Sequence, residues 1–232
     1  MIPKDKLIEM FGESWYKVLE EYISSEAFTK LASTVTYLRD KKTIYPPREL
    51  IFRAFTETPY TKVKVILLAQ NPYHNGSMDG LAFSNNLTDE ISPSLKIILQ
   101  EIDNEYPEWK EEINYGRLDR QDLHRWAKQG VLLLNTALTI EKGNLGSHLE
   151  LWAEFTTFVL EKLNEKNEII WILLGKEAQK YAKFTTNKTH SILTASHPAA
   201  EIYNKNAGFL GSNIFKECNV ELELRNMNII HW

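Results

Sequence analysis

Four short apolar runs, each ending in polar residues, constrain this chain more than any other feature. They occupy residues 63–68, 131–134, 169–174 and 191–195. Runs of this length fit strands buried on both faces, and the first is also rich in β-branched residues. Helical patterns lie between them. Right-handed strand–helix–strand connections then produce a parallel sheet. The expected fold is α/β: a single domain over residues 1–232, with a central four-stranded parallel sheet flanked by helices. In such a sheet all four C-terminal ends converge on one edge, where ligands bind. That edge would carry Gln70-Asn71, Asn135, Gly175-Lys176 and Ser196-His197.

The flanking segments read as follows. Leu7, Phe11, Trp15 and Leu19, then Phe28, Leu31, Val35 and Leu38, recur at helical spacing, so residues 5–41 read as helix packed on the core. Pro46 and Pro47 break that pattern, and Pro47 fits the first turn of a helix running through Leu50 and Phe55. Ser94 lies at the start of a helix carrying Leu95, Ile98, Leu99 and Ile102, as a cap or a phosphate contact. Residues 101–122 are charged and read as irregular surface. A short helix over 122–130 closes at Gly130. His148, ahead of a helix from Leu151 to Leu163, reads as a surface or capping group. The chain closes with a helix and a short tail ending at Trp232.

Composition narrows the functional classes. With 232 residues, 43% of them hydrophobic, the chain can bury a sizeable core. The net charge of -4 gives no global signature of nucleic-acid binding, so any such face must be a local patch. Cys218 is the single cysteine, which excludes an internal disulfide and a thiolate metal cluster. No signal peptide or membrane-length apolar run is present, so a cytoplasmic, monomeric protein without membrane contact is expected. The six histidines have no metal-ligand spacing, and P-loop, dinucleotide and nucleophile-elbow motifs are missing. No metal or cofactor is expected. What remains at the sheet edge is polar and rich in amides.

The segment Ala69-Gln70-Asn71-Pro72-Tyr73-His74, followed by Gly80-Leu81-Ala82-Phe83-Ser84, resembles family-1 uracil-DNA glycosylase. That family carries Gly-Gln-Asp-Pro-Tyr-His and then Gly-Leu-Ala-Phe-Ser. The segment Gly130-Val131-Leu132-Leu133-Leu134-Asn135-Thr136 matches without interruption, and the resemblance spans nearly the whole chain. It implies hydrolysis of the N-glycosidic bond of uracil, or a close analogue, flipped out of DNA. It implies that Gln70, Tyr73, Phe83 and Asn135 read the base, with Phe83 stacking and Tyr73 screening C5. Asn135 can accept from a ring N–H and donate to its neighbouring carbonyl, a pattern that uracil matches and cytosine opposes. His197 would stabilise the uracil anion by donating to a base oxygen.

The same resemblance places Pro46, Pro47, His74, Ser94, Gly175, Lys176, Ser196, Ala199 and Glu201 against DNA. The family drives a leucine into the vacated base stack. Here Glu201 stands in that place in a loop about two residues longer, and Ile202 or Tyr203 are the better wedges. A second departure is Asn71, where the family has its water-activating Asp. An amide can orient a water but cannot act as a base near neutral pH, so a rate penalty of roughly 10²–10⁴ is expected. Mismatch-specific uracil/thymine glycosylases carry Asn at this place and still turn over slowly. The expected partners are uracil-containing DNA and DNA-mimicking protein inhibitors. The alternative reading is a weak or inactive protein that binds uracil-DNA, or a decoy for such inhibitors.

Overall fold

A computed structural model describes residues 1–112, 120–204 and 206–232. Among the described residues there are six strands: β1 (Ile44–Tyr45), β2 (Val65–Ala69), β3 (Val131–Asn135), β4 (Ile140–Glu141), β5 (Ile170–Leu174) and β6 (Ser191–Ala195). Four of them form one parallel sheet in the order β3-β2-β5-β6. These are the four expected runs, with boundaries shifted by at most two residues. Every residue of β2, β3 and β5 is buried, as their continuous apolar sequences require. Edge strand β6 alternates instead, with Ile192 and Thr194 exposed.

The remaining two strands, β1 and β4, pair antiparallel with only two residues each. Pieces this short have no periodicity to detect. They tie the Pro46-Pro47 loop to the segment after β3.

Helices cover the sheet. Residues 5–41 form three helices, Lys4–Phe11, Glu13–Ile23 and Glu26–Lys41. Gly12 separates the first two at a φ of 76°, which glycine adopts freely. Leu7, Phe11, Trp15, Leu19, Phe28, Leu31 and Val35 are buried as their spacing demands. Phe155, on the helix Leu149–Asn164, packs against Phe11, Phe28, Phe52 and Phe55 with ring centroids 5.8–6.4 Å apart. The core continues to the last residue, Trp232, whose ring is edge-on to Trp126.

Three local expectations are corrected. Pro47 does not open one continuous helix: a 3-10 turn Arg48–Leu50 is followed by a separate helix Arg53–Glu57. Residues 101–122 are not simply irregular surface. The helix Pro93–Glu105 runs into them with Glu101 and Glu105 buried, and Pro107–Glu112 forms another helix. Residues 113–119 of that stretch lie outside the described residues. His148 is not on the surface; it is buried and hydrogen-bonded through Nδ1 to Thr139 Oγ1 at 2.8 Å.

Candidate active site

The sheet register sets the site. Ala69, the last residue of β2, lies opposite Asn135, the last residue of β3. Leu174 of β5 lies opposite Ala195 of β6. Gln70, Gly175 and Ser196 therefore leave the sheet at one level, one residue beyond that of Asn135. The backbone is knitted there as well: Thr136 N–H donates to Ala69 O at 2.9 Å and Ala137 N–H to Gln70 O at 3.0 Å.

Two amides are held at this edge with acceptors in reserve. Asn135 is only 4% exposed, and its Oδ1 is buried without a protein partner. Asn71 donates from Nδ2 to Gln70 Oε1 at 2.9 Å, which leaves its own buried Oδ1 unpartnered. A buried acceptor left unpaired costs ~1–3 kcal/mol. The two acceptors follow neighbouring strands β2 and β3, where they are open to a ligand's donors. Gln70 Nε2 in turn points to Glu177 Oε2 at 3.5 Å.

Tyr73 and Phe83 are positioned by their surroundings. The Tyr73 hydroxyl donates to Phe83 O at 3.3 Å and receives a hydrogen bond from Ser92. Burial raises the Tyr73 pKa, so the phenol stays neutral and remains a donor. Phe83 is buried and adopts a φ of 65°, a left-handed conformation costing ~1–2 kcal/mol in a non-glycine residue. Asp79 holds that turn in place. Its buried carboxylate takes Ser84 Oγ at 2.6 Å, Leu81 N–H at 3.2 Å and Arg53 Nη1 at 2.9 Å.

His197 reaches the same edge from the end of β6. Its ring centroid is 6.1 Å from that of Phe83. Gly175 makes the approach possible, since a Cβ there would sit 2.7 Å from His197 Cβ. Ala199 N–H donates to His197 Nδ1 at 3.1 Å. The neutral imidazole therefore carries its proton on Nε2. His197 is exposed, yet partial burial of its ring lowers its pKa below the usual histidine value and favours that neutral form.

The outer residues divide into those that face out and those that brace the loop. His74, Lys176, Ile202 and Tyr203 are exposed, Tyr203 at 89% and Ile202 at 49%. Pro46 is buried beneath half-buried Pro47. Ser94 is buried at the second position of its helix, and the cap is Ser92, whose Oγ accepts from Leu95 N–H at 3.3 Å. Ser196 Oγ donates to Ala207 O, and the Ala199 N–H is committed to His197.

Glu201 does not face outward as expected from its position. It is 7% exposed, and its carboxylate accepts from the N–H groups of Asn206, Ala207, Phe209 and Leu210. Those bonds, led by Phe209, hold its pKa below the usual carboxylate range. Sequence reasoning also missed Ser92 and Glu177. The Gln70–Glu177 and Ser92–Tyr73 contacts join separate segments and leave no local pattern, whereas the Ser92 cap is local and lies two residues before the Ser94 that the sequence singled out.

Fold and site together define an α/β protein with an amide-lined binding site at the C-terminal edge of a parallel sheet. The pattern of the uracil DNA glycosylase superfamily matches residues 55–223. A uracil-DNA glycosylase of Dichelobacter nodosus is 38% identical over 224 residues, spanning 95% of this chain and 94% of that protein. Another, from Fusobacterium nucleatum, is 39% identical over 224 residues and 95% of each chain. The crystal structure of mimivirus uracil-DNA glycosylase superposes with a TM-score of 0.84 at 24% identity, covering 100% of this chain and 89% of that one. A mimivirus UNG Y322L in complex with UGI gives 0.83 at 24% identity, covering 100% and 91%. The chain belongs to the uracil DNA glycosylase superfamily, and its activity is that of a glycosylase, a hydrolase of N-glycosidic bonds.

Proposed function

We propose that this chain removes uracil flipped out of DNA, at a rate attenuated by the amide at position 71. The observation that carries the reading is the pair of unpartnered acceptors, Asn71 Oδ1 and Asn135 Oδ1, at one strand edge. Uracil presents a ring N–H beside a carbonyl, and Asn135 Oδ1 is placed to accept from that N–H. Phe83, held in a strained conformation beside His197, offers the face for stacking.

Bond breakage sends the N1–C1′ electron pair to the base and leaves positive charge on the sugar. The Nε2–H of His197 meets the negative charge that develops on a base oxygen, a contribution of about 3–4 kcal/mol for one preorganised donor. Asn71 Oδ1 accepts from the attacking water and orients it toward C1′. It cannot take the proton, which passes to solvent as the C–O bond forms. Tyr203, the most exposed side chain of the short helix Ala200–Tyr203, fits the vacated base stack better than Ile202. Lys176, Pro47 and His74 line the surface facing the DNA backbone. The UGI complex formed by the mimivirus relative makes a DNA-mimicking inhibitor a second expected partner.

Uracil-containing single-stranded DNA incubated with the protein and then with alkali should break at uracil. Intact strands at large enzyme excess would defeat the catalytic reading. Tight but uncut complexes would leave a uracil-DNA binding protein in its place.

A further inference from the structure

The orientation of the Asn71 amide decides whether the protein presents an acceptor or a donor to the water. An amide has an oxygen on one side and an NH₂ on the other, and either end can take part in an amide–amide contact. Asn71 and Gln70 form such a contact, which alone is satisfied equally well with both amides reversed. What breaks the symmetry is the third member. Glu177 is a carboxylate that only accepts, and Gln70 Nε2 faces its Oε2 at 3.5 Å. The Gln70 oxygen must then face Asn71, the Asn71 NH₂ must face Gln70, and Asn71 Oδ1 is left free. Glu177 is itself held by Lys180 Nζ, 2.7 Å from each carboxylate oxygen.

We infer that Glu177 is a positioning residue: through Gln70 it sets the polarity of Asn71 so that Oδ1 points to the attacking water. This rests on the glycosylase reading above and extends it to a residue outside the strand-end motifs. A carboxylate at position 71 would accept from either oxygen and need no such device. The relay therefore matters only because position 71 is an amide. The Glu177 side chain is 55% exposed, so its influence is that of a bias and not of a lock.

The test compares Glu177→Gln in two backgrounds, the natural chain and Asn71→Asp, by single-turnover excision of uracil at saturating single-stranded DNA. Glutamine keeps the size of the side chain but can donate as well as accept, so the bias is lost. In the Asn71 protein the rate should fall about threefold, the weight of a long contact to a solvent-facing carboxylate. In the Asn71→Asp protein Glu177→Gln should cause no loss, because nothing remains to be oriented. Glu177→Asp should restore part of the lost rate. Equal losses in both backgrounds would mark Glu177 as merely structural, and no loss in the Asn71 protein would also overturn the inference. Should neither background cut uracil-DNA, the glycosylase reading fails separately. The ¹⁵N-labelled side-chain amides then decide. The Asn71 NH₂ resonances should move on Glu177→Gln if the relay exists, and unchanged resonances would refute it.

Discussion

At His197 a single contact fixes the tautomer. The hydrogen bond from Ala199 N–H to His197 Nδ1 assigns the imidazole proton to Nε2 without reference to any substrate. Desolvation acts in the same direction by lowering the His197 pKa from 6.5. Neutral His197 therefore persists below the pH at which a free histidine would protonate. Protonation at Nδ1 would break the Ala199 contact and turn the ring. The acid limb of uracil excision attributable to His197 should lie below about pH 6.5, with the rate flat above it. His197→Gln should remove that limb and slow excision by about 10²–10³. A pH–rate profile whose acid limb is the same in both proteins would exclude this role. Gly175 belongs to the same argument, because its missing side chain is what lets two strand ends close to His197 Cβ.

At the scale of elements, the segment after the exposed Tyr203 is held by three carboxylates. Glu201 takes the N–H groups of Asn206, Ala207, Phe209 and Leu210. Glu101 takes those of Gly211 and Asn213, and Glu105 those of Phe215 and Lys216. These backbone donors are thus satisfied by Glu201 of the same segment and by two carboxylates of the helix Pro93–Glu105. Glu201→Gln keeps the shape but puts a donor where an acceptor is needed, at a cost of about 1–3 kcal/mol. The loosened loop should raise KM for DNA more than it lowers kcat, measurable by steady-state excision beside a thermal melt. An unchanged KM would show that the loop does not grip DNA. This bracing is also where sequence reading was weakest. The β2, β3 and β5 strands were legible because a run buried on both faces is apolar throughout. The job of Glu201 was not, because a charged residue in a polar loop looks solvated until its partners are known.

Across the whole molecule, the four strand ends were visible in the sequence because a parallel sheet must gather them at one edge. Gln70, Asn71, Asn135 and His197 were found in that way. The two-residue strands β1 and β4 and the partner Glu177 were not, since each exists only through contacts distant in the chain. Burial, with the Glu101 charge adding to it, pushes the Glu105 pKa up to about 7. The folded protein then binds that proton more tightly than the unfolded chain does. The stability it contributes is complete below about pH 4.5 and is lost as pH rises through about 7. The melting temperature should drop between about pH 4.5 and about pH 7, and Glu105→Gln should narrow that drop. An identical drop in both proteins would place the effect elsewhere. Asn71 puts an uncharged side chain in the site proposed here for uracil, and the most direct measurement of its effect is the excision rate of Asn71→Asp beside the natural chain on one uracil-DNA substrate. A rise of about 10²–10⁴ is the result predicted, whereas a folded, DNA-binding variant that is no faster would contradict it.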